Sequence, residues 1–250
     1  GRMPDGQRVV ALATAGGYCQ KTLVNPRMVI PVPDQVSDGA ALCMMVQGLT
    51  AYHIIKTLGH FKAGESVVVH AGAGGVGSLA IQLAKMWGGF VIAVTSSDEK
   101  KKLCTELGAD AVVDASEADL KSALLAANKN KPVDIVLEMV GGKTTDISLE
   151  VLAPFGRLIV YGAASRSAAQ VIHPTSLMGG SKTVTGFWLA HCFGNKALLN
   201  DVIEELFKLT AQGKLKPIIG GTYPLSQATK AHQDMLSRIT TGKITLNPAI

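Results

Sequence analysis

Glu65-Ser66-Val67-Val68-Val69-His70-Ala71-Gly72-Ala73-Gly74-Gly75-Val76-Gly77-Ser78 runs from a short apolar strand straight into a Gly72-x-Gly74-x-x-Gly77 turn. A helical run follows, from Ser78 to Trp87. Strand, glycine turn and helix, in that order, are what a dinucleotide pyrophosphate needs. Gly72 allows the tight turn, Gly74 lets backbone approach phosphate, and Gly77 lets the helix pack close on the strand. The helix N-terminus then offers N–H groups and a positive dipole end to the anion. The competing reading is a glycine-rich turn in some other parallel α/β protein.

Outward from this turn, short Val/Ile-rich segments alternate with helical ones. Strands are predicted at 66–70, 90–95, 111–113, 133–138, 157–161 and 183–188, and helices at 76–87, 98–107, 117–128 and 143–153. Continuous apolar strands imply a parallel sheet buried on both faces, and their alternation with helices gives βαβ units. The fold class is therefore α/β, a Rossmann doubly wound parallel sheet. The flanks read differently. Val9 to Thr14 is β-prone, Tyr18 to Val24 alternates weakly, and Met28-Val29-Ile30 ends at Pro31 and Pro33. Ser37 caps a helix reaching Met45, and a second helix runs from Leu49 to Leu58 and stops at Gly59. Towards the C-terminus, Leu198 to Gln212 is an amphipathic helix; Pro217, Gly220 and Gly221 mark loops. Ser226 caps a helix to Ser237, and Ile244 to Leu246 closes as a strand.

Composition narrows the function classes. An apolar content of 47% supports a substantial core, yet no uninterrupted apolar run reaches the length of a membrane span. The first residues lack the apolar centre of a signal peptide. The net charge of +5 is spread along the chain. Its densest run, Lys100-Lys101-Lys102, has Glu99 and Glu106 beside it and reads as a solvated helix face, so no nucleic-acid partner is expected. Cys19, Cys43, Cys104 and Cys192 lie far apart without zinc-ligand spacing, which fits free thiols in a reducing cytoplasm.

The end of the second strand selects the cofactor. An acid there would accept ribose hydroxyls and favour NAD. Here Phe90-Val91-Ile92-Ala93-Val94 runs into Thr95-Ser96-Ser97, and Lys100 follows. Hydroxyls with a nearby cation suit a 2′-phosphate, so NADPH is favoured over NADH. Asp98 competes with this reading, unless it only decorates the first helical turn, where negative charge is favourable.

Several phrases, in order along the chain, resemble the medium-chain dehydrogenase/reductase superfamily in its zinc-independent quinone oxidoreductase (zeta-crystallin-like) branch. They are Gly16-Gly17-Tyr18, Gln47-Gly48-Leu49-Thr50-Ala51-Tyr52, Val69 to Gly77, Leu107-Gly108-Ala109-Asp110, Gly156 to Gly162 and Gly242-Lys243-Ile244. The resemblance implies a Rossmann domain over residues 47–186. It implies a partial GroES-like catalytic domain from 1–46 and 187–250, N-terminally incomplete because family members carry further chain before the point matching Gly1. It also implies a metal-free enzyme, since a zinc ligand of the alcohol dehydrogenase branch is replaced by Gln47, and Cys43 reads as a small core residue.

The same resemblance assigns cofactor contacts. Thr50 approaches the nicotinamide or its ribose, and Gly74, Gly75 and Val76 hold the pyrophosphate. Ser96 and Lys100 meet the 2′-phosphate. Gly162 and Ala163 pass beneath the nicotinamide ribose, Phe187 and Leu189 bind the carboxamide through backbone, and Arg238 lies near the cofactor. Ala115 stands where a Tyr often stacks on adenine. His53, His70 and His173 are not expected to be catalytic, and no catalytic residue is assigned. The implied activity is NADPH-dependent hydride transfer to a quinone or an α,β-unsaturated carbonyl. The alternatives are a non-catalytic NADPH-binding protein, crystallin-like or RNA-associated, and a zinc-dependent alcohol dehydrogenase. Thr183 to Leu189, β-prone and aromatic, suits the edge pairing of a homodimer.

Overall fold

A computed structural model describes residues 1–13 and 15–249, and the chain divides into two units, Gly1–Leu49 with Leu189–Ile250, and Thr50–Trp188. In chain order the elements are β1 (Val9–Ala11), β2 (Val29–Pro31), α1 (Asp38–Cys43), α2 (Leu49–Tyr52), β3 (Ser66–His70), α3 (Gly75–Met86), β4 (Phe90–Thr95), α4 (Asp98–Glu106), β5 (Ala111–Asp114), α5 (Leu120–Ala127), β6 (Val133–Glu138), α6 (Lys143–Glu150), β7 (Leu152–Val160), α7 (Pro174–Met178), β8 (Thr183–Gly186), α8 (Lys196–Ala211), β9 (Ile219–Pro224), α9 (Ala228–Leu236) and β10 (Lys243–Asn247).

The second unit is built on a six-stranded sheet in the order β5-β4-β3-β6-β7-β8, parallel throughout. Order reverses between β3 and β6, which makes the gap between their C-terminal ends the switch point where ligands bind in such sheets. β3 is buried at every residue, as a strand sandwiched between helix layers must be. Its Val67, Val68 and Val69 pair with Val91, Ile92 and Ala93 on one side and Ile135, Val136 and Leu137 on the other. Each Val, Ile or Leu side chain among them, taken fully out of water, contributes about 1.5–3 kcal/mol.

The edges of the expected elements moved for local reasons. β7 starts at Leu152 rather than 157 because Pro154-Phe155-Gly156 forms an irregularity inside the strand. Phe155 takes φ 61° and donates its N–H to Gly180 O at 3.0 Å, and the register with β6 slips between Val133 and Ile135. α5 starts at Leu120, not 117, because Asp119 caps it, accepting from Ser122 N at 3.0 Å. α8 likewise begins at Lys196 under Asn195.

In the first unit, β1 and β2 pair antiparallel. The expected strand from Val9 ends at Ala11, and Thr14 lies outside the described residues. Tyr18 to Val24 forms bends, not a strand. Ser37 caps α1 as expected, accepting from Ala40 N at 3.3 Å. The helix expected over 49–58 is α2 followed by a wider π-helical turn, His53–Thr57; another such turn, Met44–Gly48, carries Gln47. The loop expected around Gly220 and Gly221 is β9, parallel to β10. A Cβ at Gly220 would strike Thr241 O, so this glycine serves close approach to the backbone leading into β10. Ser226 is not a cap: a 3-10 turn, Leu225–Gln227, precedes α9.

Candidate active site

The candidate site of the second unit is the C-terminal edge of its sheet. At β3 the chain turns through Ala71, φ 52°, and Gly74 N–H donates to Ala71 O at 2.8 Å. The left-handed residue is thus Ala71 and not Gly72. Gly72 is fixed by packing instead, since a Cβ there would come within 3.0 Å of Ala93 Cβ and 3.1 Å of Cys104 Sγ. Gly77 plays its expected part: a Cβ would run into Ala71 O and Gly72, so only glycine lets α3 sit on the turn. Gly74, Gly75 and Val76 are half-buried around the N-terminus of α3. N–H groups in a first helical turn have no acceptor within the helix, so they are disposed to bind an anion.

β4 ends at Thr95, followed by exposed Ser96 and half-buried Lys100 in the first turn of α4. Ser97 caps that helix. Lys101 is committed to Asp114 at 2.6 Å and Asp98 at 3.3 Å, and Lys102 lies 4.0 Å from Glu106. Asp98 is therefore a helix-terminal partner of Lys101, as its competing reading held. Asp114 is held well below the usual carboxylate range by the hydrogen bond from Lys101. Ala115 follows β5 and donates its N–H to Thr95 O at 2.8 Å.

Gly162 and Ala163 follow β7, and Phe187 follows β8. The Phe187 N–H is spent on Val160 O at 2.9 Å, which leaves its carbonyl as the backbone group for a ligand. Its ring stacks on His53 with centroids 5.7 Å apart. That contact brings the π-helical turn after α2 to the end of β8, with buried Thr50 on the preceding turn. Leu189 and Arg238 lie in the first unit, Leu189 opening a 3-10 turn and Arg238 exposed at φ 57° after α9.

The three histidines hold structural places. His53 is buried with Nδ1 2.8 Å from Thr57 Oγ1. His70 is buried with Nε2 2.9 Å from Ser148 Oγ, and burial pushes it down to about 4. Exposed His173 precedes α7, and its carbonyl accepts from Ser176 Oγ at 2.7 Å.

Two residues escaped the sequence reading. Glu138, wholly buried at the end of β6, accepts from Val140 N at 2.6 Å, Gly141 N at 3.0 Å and Thr145 Oγ1 at 2.8 Å. Tyr161, after β7, has a buried hydroxyl without a hydrogen-bond partner. An acid ending the apolar run Ile135-Val136-Leu137, just before Gly141-Gly142, was the available signal for Glu138. Nothing in the sequence marks Tyr161.

A zinc donor set is not found in these residues. Gln47 carries a neutral amide oxygen, buried and without a partner. The Cys43 thiol is pushed up to about 11 by burial, far from the thiolate that zinc prefers. Among the described residues no three His, Cys, Asp or Glu side chains form a metal-holding group. No helix among them is long and apolar enough to cross a membrane.

Comparison with known proteins agrees with this geometry. A family model described as zinc-binding dehydrogenase matches residues 75–212. A quinone oxidoreductase of Pseudomonas aeruginosa is 31% identical over 248 residues, covering 99% of this chain and 76% of that protein. A 2-haloacrylate reductase of Burkholderia sp is 32% identical over 248 residues, covering 97% and 74%. The structure of mycobacterial Rv1454c complexed with NADPH superposes with a TM-score of 0.90 at 34% identity, over 97% of this chain and 74% of that one. The chain belongs to the zinc-binding dehydrogenase family, in the quinone oxidoreductase branch of the medium-chain dehydrogenase/reductase superfamily.

Proposed function

We propose that the protein is an NADPH-dependent reductase acting on a quinone or an α,β-unsaturated carbonyl. The observation that carries this is the glycine-rimmed N-terminus of α3 at the switch point, beside a β4 end that offers Ser96 and Lys100 where an acid would select NAD. The family membership and the NADPH-bound relative support it. The residues fit the cofactor, because Gly77 admits no side chain between α3 and the turn. Half-buried Gly75 and Val76 carry first-turn N–H groups that have no acceptor within the helix, and Gly74, its own N–H spent on Ala71 O, sets no side chain beside them.

Bound NADPH supplies the hydride, from C4 of its nicotinamide. The chain's part is placement. The N–H groups of Gly75 and Val76 hold the pyrophosphate, with Gly74 giving it room by having no side chain, and Ser96 and Lys100 take the 2′-phosphate. Gly162 and Ala163 floor the nicotinamide ribose, and the Phe187 carbonyl with the Leu189 N–H hold the carboxamide. Thr50 and Arg238 complete the set. Fixing donor and acceptor together contributes on the order of 7 kcal/mol in favourable cases. The acceptor's proton arrives from water or a positioned hydroxyl. No metal is needed in this scheme, a reading that rests on Gln47. We also assign the protein to the cytoplasm, which its free thiols support, as a homodimer with no nucleic-acid partner and the first unit as a GroES-like domain.

Fluorescence titration with NADPH and NADH, followed by oxidation with 1,4-benzoquinone and then an enone, tests the proposal. NADPH is expected to bind more tightly, and Lys100→Ala to weaken it about tenfold while leaving NADH unchanged, the scale of one charge-assisted hydrogen bond. Binding without oxidation of either acceptor would overturn the reductase reading. Equal loss of both cofactors in Lys100→Ala would overturn the phosphate assignment.

A further inference from the structure

Glu138 is an anion buried at the heart of the candidate site without a cation to match it. Its three hydrogen bonds are all accepted: Val140 and Gly141 N–H on Oε1, and the Thr145 hydroxyl on Oε2. It enters no ion pair among the described residues. His70 follows Val69, the residue paired with Leu137 on β6, but its ring meets Ser148 Oγ and burial keeps that imidazole neutral down to about 4. The N-terminus of α6 and the two N–H dipoles offset part of the cost of burial. The remaining field reaches Tyr161, whose phenol is pushed up by burial and then by the Glu138 carboxylate.

The backbone ties this charge to one half of the crevice. Tyr161 N–H donates to Glu138 O at 2.9 Å, Ala164 N–H to Met139 O at 2.9 Å, and Ser165 N–H to Val140 O at 2.7 Å. The loop held by Glu138 and the segment carrying Gly162 and Ala163 are therefore one piece. A dinucleotide laid across a switch point puts its two nucleotides on the two halves of the sheet. With Ser96 and Lys100 at the adenosine end, the ends of β6 and β7 take the nicotinamide half.

We propose that Glu138 is the electrostatic partner of the nicotinamide, favouring its positively charged oxidised form over its neutral reduced form. Hydride transfer moves two electrons and one proton to the electrophilic carbon of the acceptor, which is reduced and then takes a proton from water or a positioned hydroxyl. The cofactor is oxidised and left with one more positive charge. A fixed negative charge in a water-poor site stabilises that developing charge without reorganisation. The inference rests on the NADPH reading above, and it adds a residue whose role is charge, not contact with the phosphates.

Glu138→Gln isolates the charge. Its amide oxygen still accepts from Val140 and Gly141, and its NH2 donates to the Thr145 hydroxyl, so the loop keeps its three hydrogen bonds. Fluorescence titration of wild type and variant with NADP+ and NADPH is the measurement. The Kd for NADP+ is expected to rise about tenfold while that for NADPH moves less than about threefold, because only the oxidised ring carries the added charge. Thr145→Val removes a hydrogen bond and keeps the charge, so it should leave the ratio of the two constants unmoved. An unmoved ratio in Glu138→Gln overturns the proposal, and so does an equal shift in Thr145→Val. Should Glu138→Gln not fold, wild type decides: NADPH binding more than about tenfold tighter than NADP+ would overturn the proposal. Wild type that binds neither form would instead overturn the NADPH reading itself.

Discussion

A side chain at Gly77 has no space to occupy, because its Cβ would meet both Ala71 O and Gly72. Gly77→Ala must push α3 off the turn, and overpacking of this kind costs about 1–3 kcal/mol. The expected outcome is a lower melting temperature together with NADPH affinity reduced at least about tenfold, since the same shift moves the phosphate-facing N–H groups. An unchanged titration would remove α3 from the cofactor site. His70 gives a prediction in pH. It titrates near 4 in the fold, down from its ordinary 6.5, because burial disfavours the charged form. Between those values the unfolded chain holds more protons, so stability is full above about 6.5 and declines as pH falls towards 4, by about 3 kcal/mol for this one group. His70→Gln, which can still reach Ser148, should flatten the urea midpoint across that window; an undiminished slope would assign it elsewhere. At this scale the sequence was most legible where a residue type has one use. Gly77 was readable because close approach excludes every side chain. Ala71 was not, because left-handed backbone is usual in glycine and the pattern pointed to Gly72. Glu138 was hidden because its cradle depends on donors two, three and seven residues away, and the acid ending an apolar run marks the position without displaying them.

At the level of elements, strands β3, β4 and β6 lie where their Val/Ile runs placed them, since burial on both faces leaves a continuous apolar signature. β9 was missed for the opposite reason. Its half-exposed Ile219-Gly220-Gly221 reads as a turn, and only the passage of Thr241 and Gly242 beside it makes glycine necessary in a strand. Helix starts were displaced wherever the cap was not the first polar residue met. α5 shows this: Asp119, not the earlier Ser116 or Glu117, closes its N-terminus, accepting from Ser122 N at 3.0 Å and Ser122 Oγ at 2.6 Å. Asp119→Ala should therefore lower stability by about 1 kcal/mol, the usual worth of a cap, with NADPH affinity unchanged because, among the described residues, Asp119 bonds only within the start of α5 and touches no residue of the phosphate-binding turn. Chemical denaturation alongside titration checks both halves. A loss of cofactor affinity as large as that in Gly77→Ala would mean that α5 supports the site directly.

For the whole molecule the open edge of the sheet is the decisive feature. β8 pairs with β7 on one side only, and its residues are half-buried or exposed. An unpaired strand edge is a template for further pairing unless something covers it. Large apolar side chains flank this one. Met178 is 75% exposed just before β8, and Trp188 is 68% exposed just after it. Phe155, at 73%, is joined to the same region through Gly180. Exposed apolar groups at both ends of an open edge suit an interface, and a two-fold axis lets one edge meet its own copy. The protein should therefore run at twice its chain mass in light scattering at micromolar concentration. Phe155→Asp separates association from folding. Phe155 sits at φ 61°, a strained place for a bulky residue that Asp tolerates better, so the substitution relieves backbone strain while placing charge on the face. The variant should run at the single-chain mass with a melting temperature no lower than that of a dissociated wild type at high dilution. A wild type already at single-chain mass would sink the edge-pairing reading. A Phe155→Asp protein that stays dimeric would move the interface away from β8.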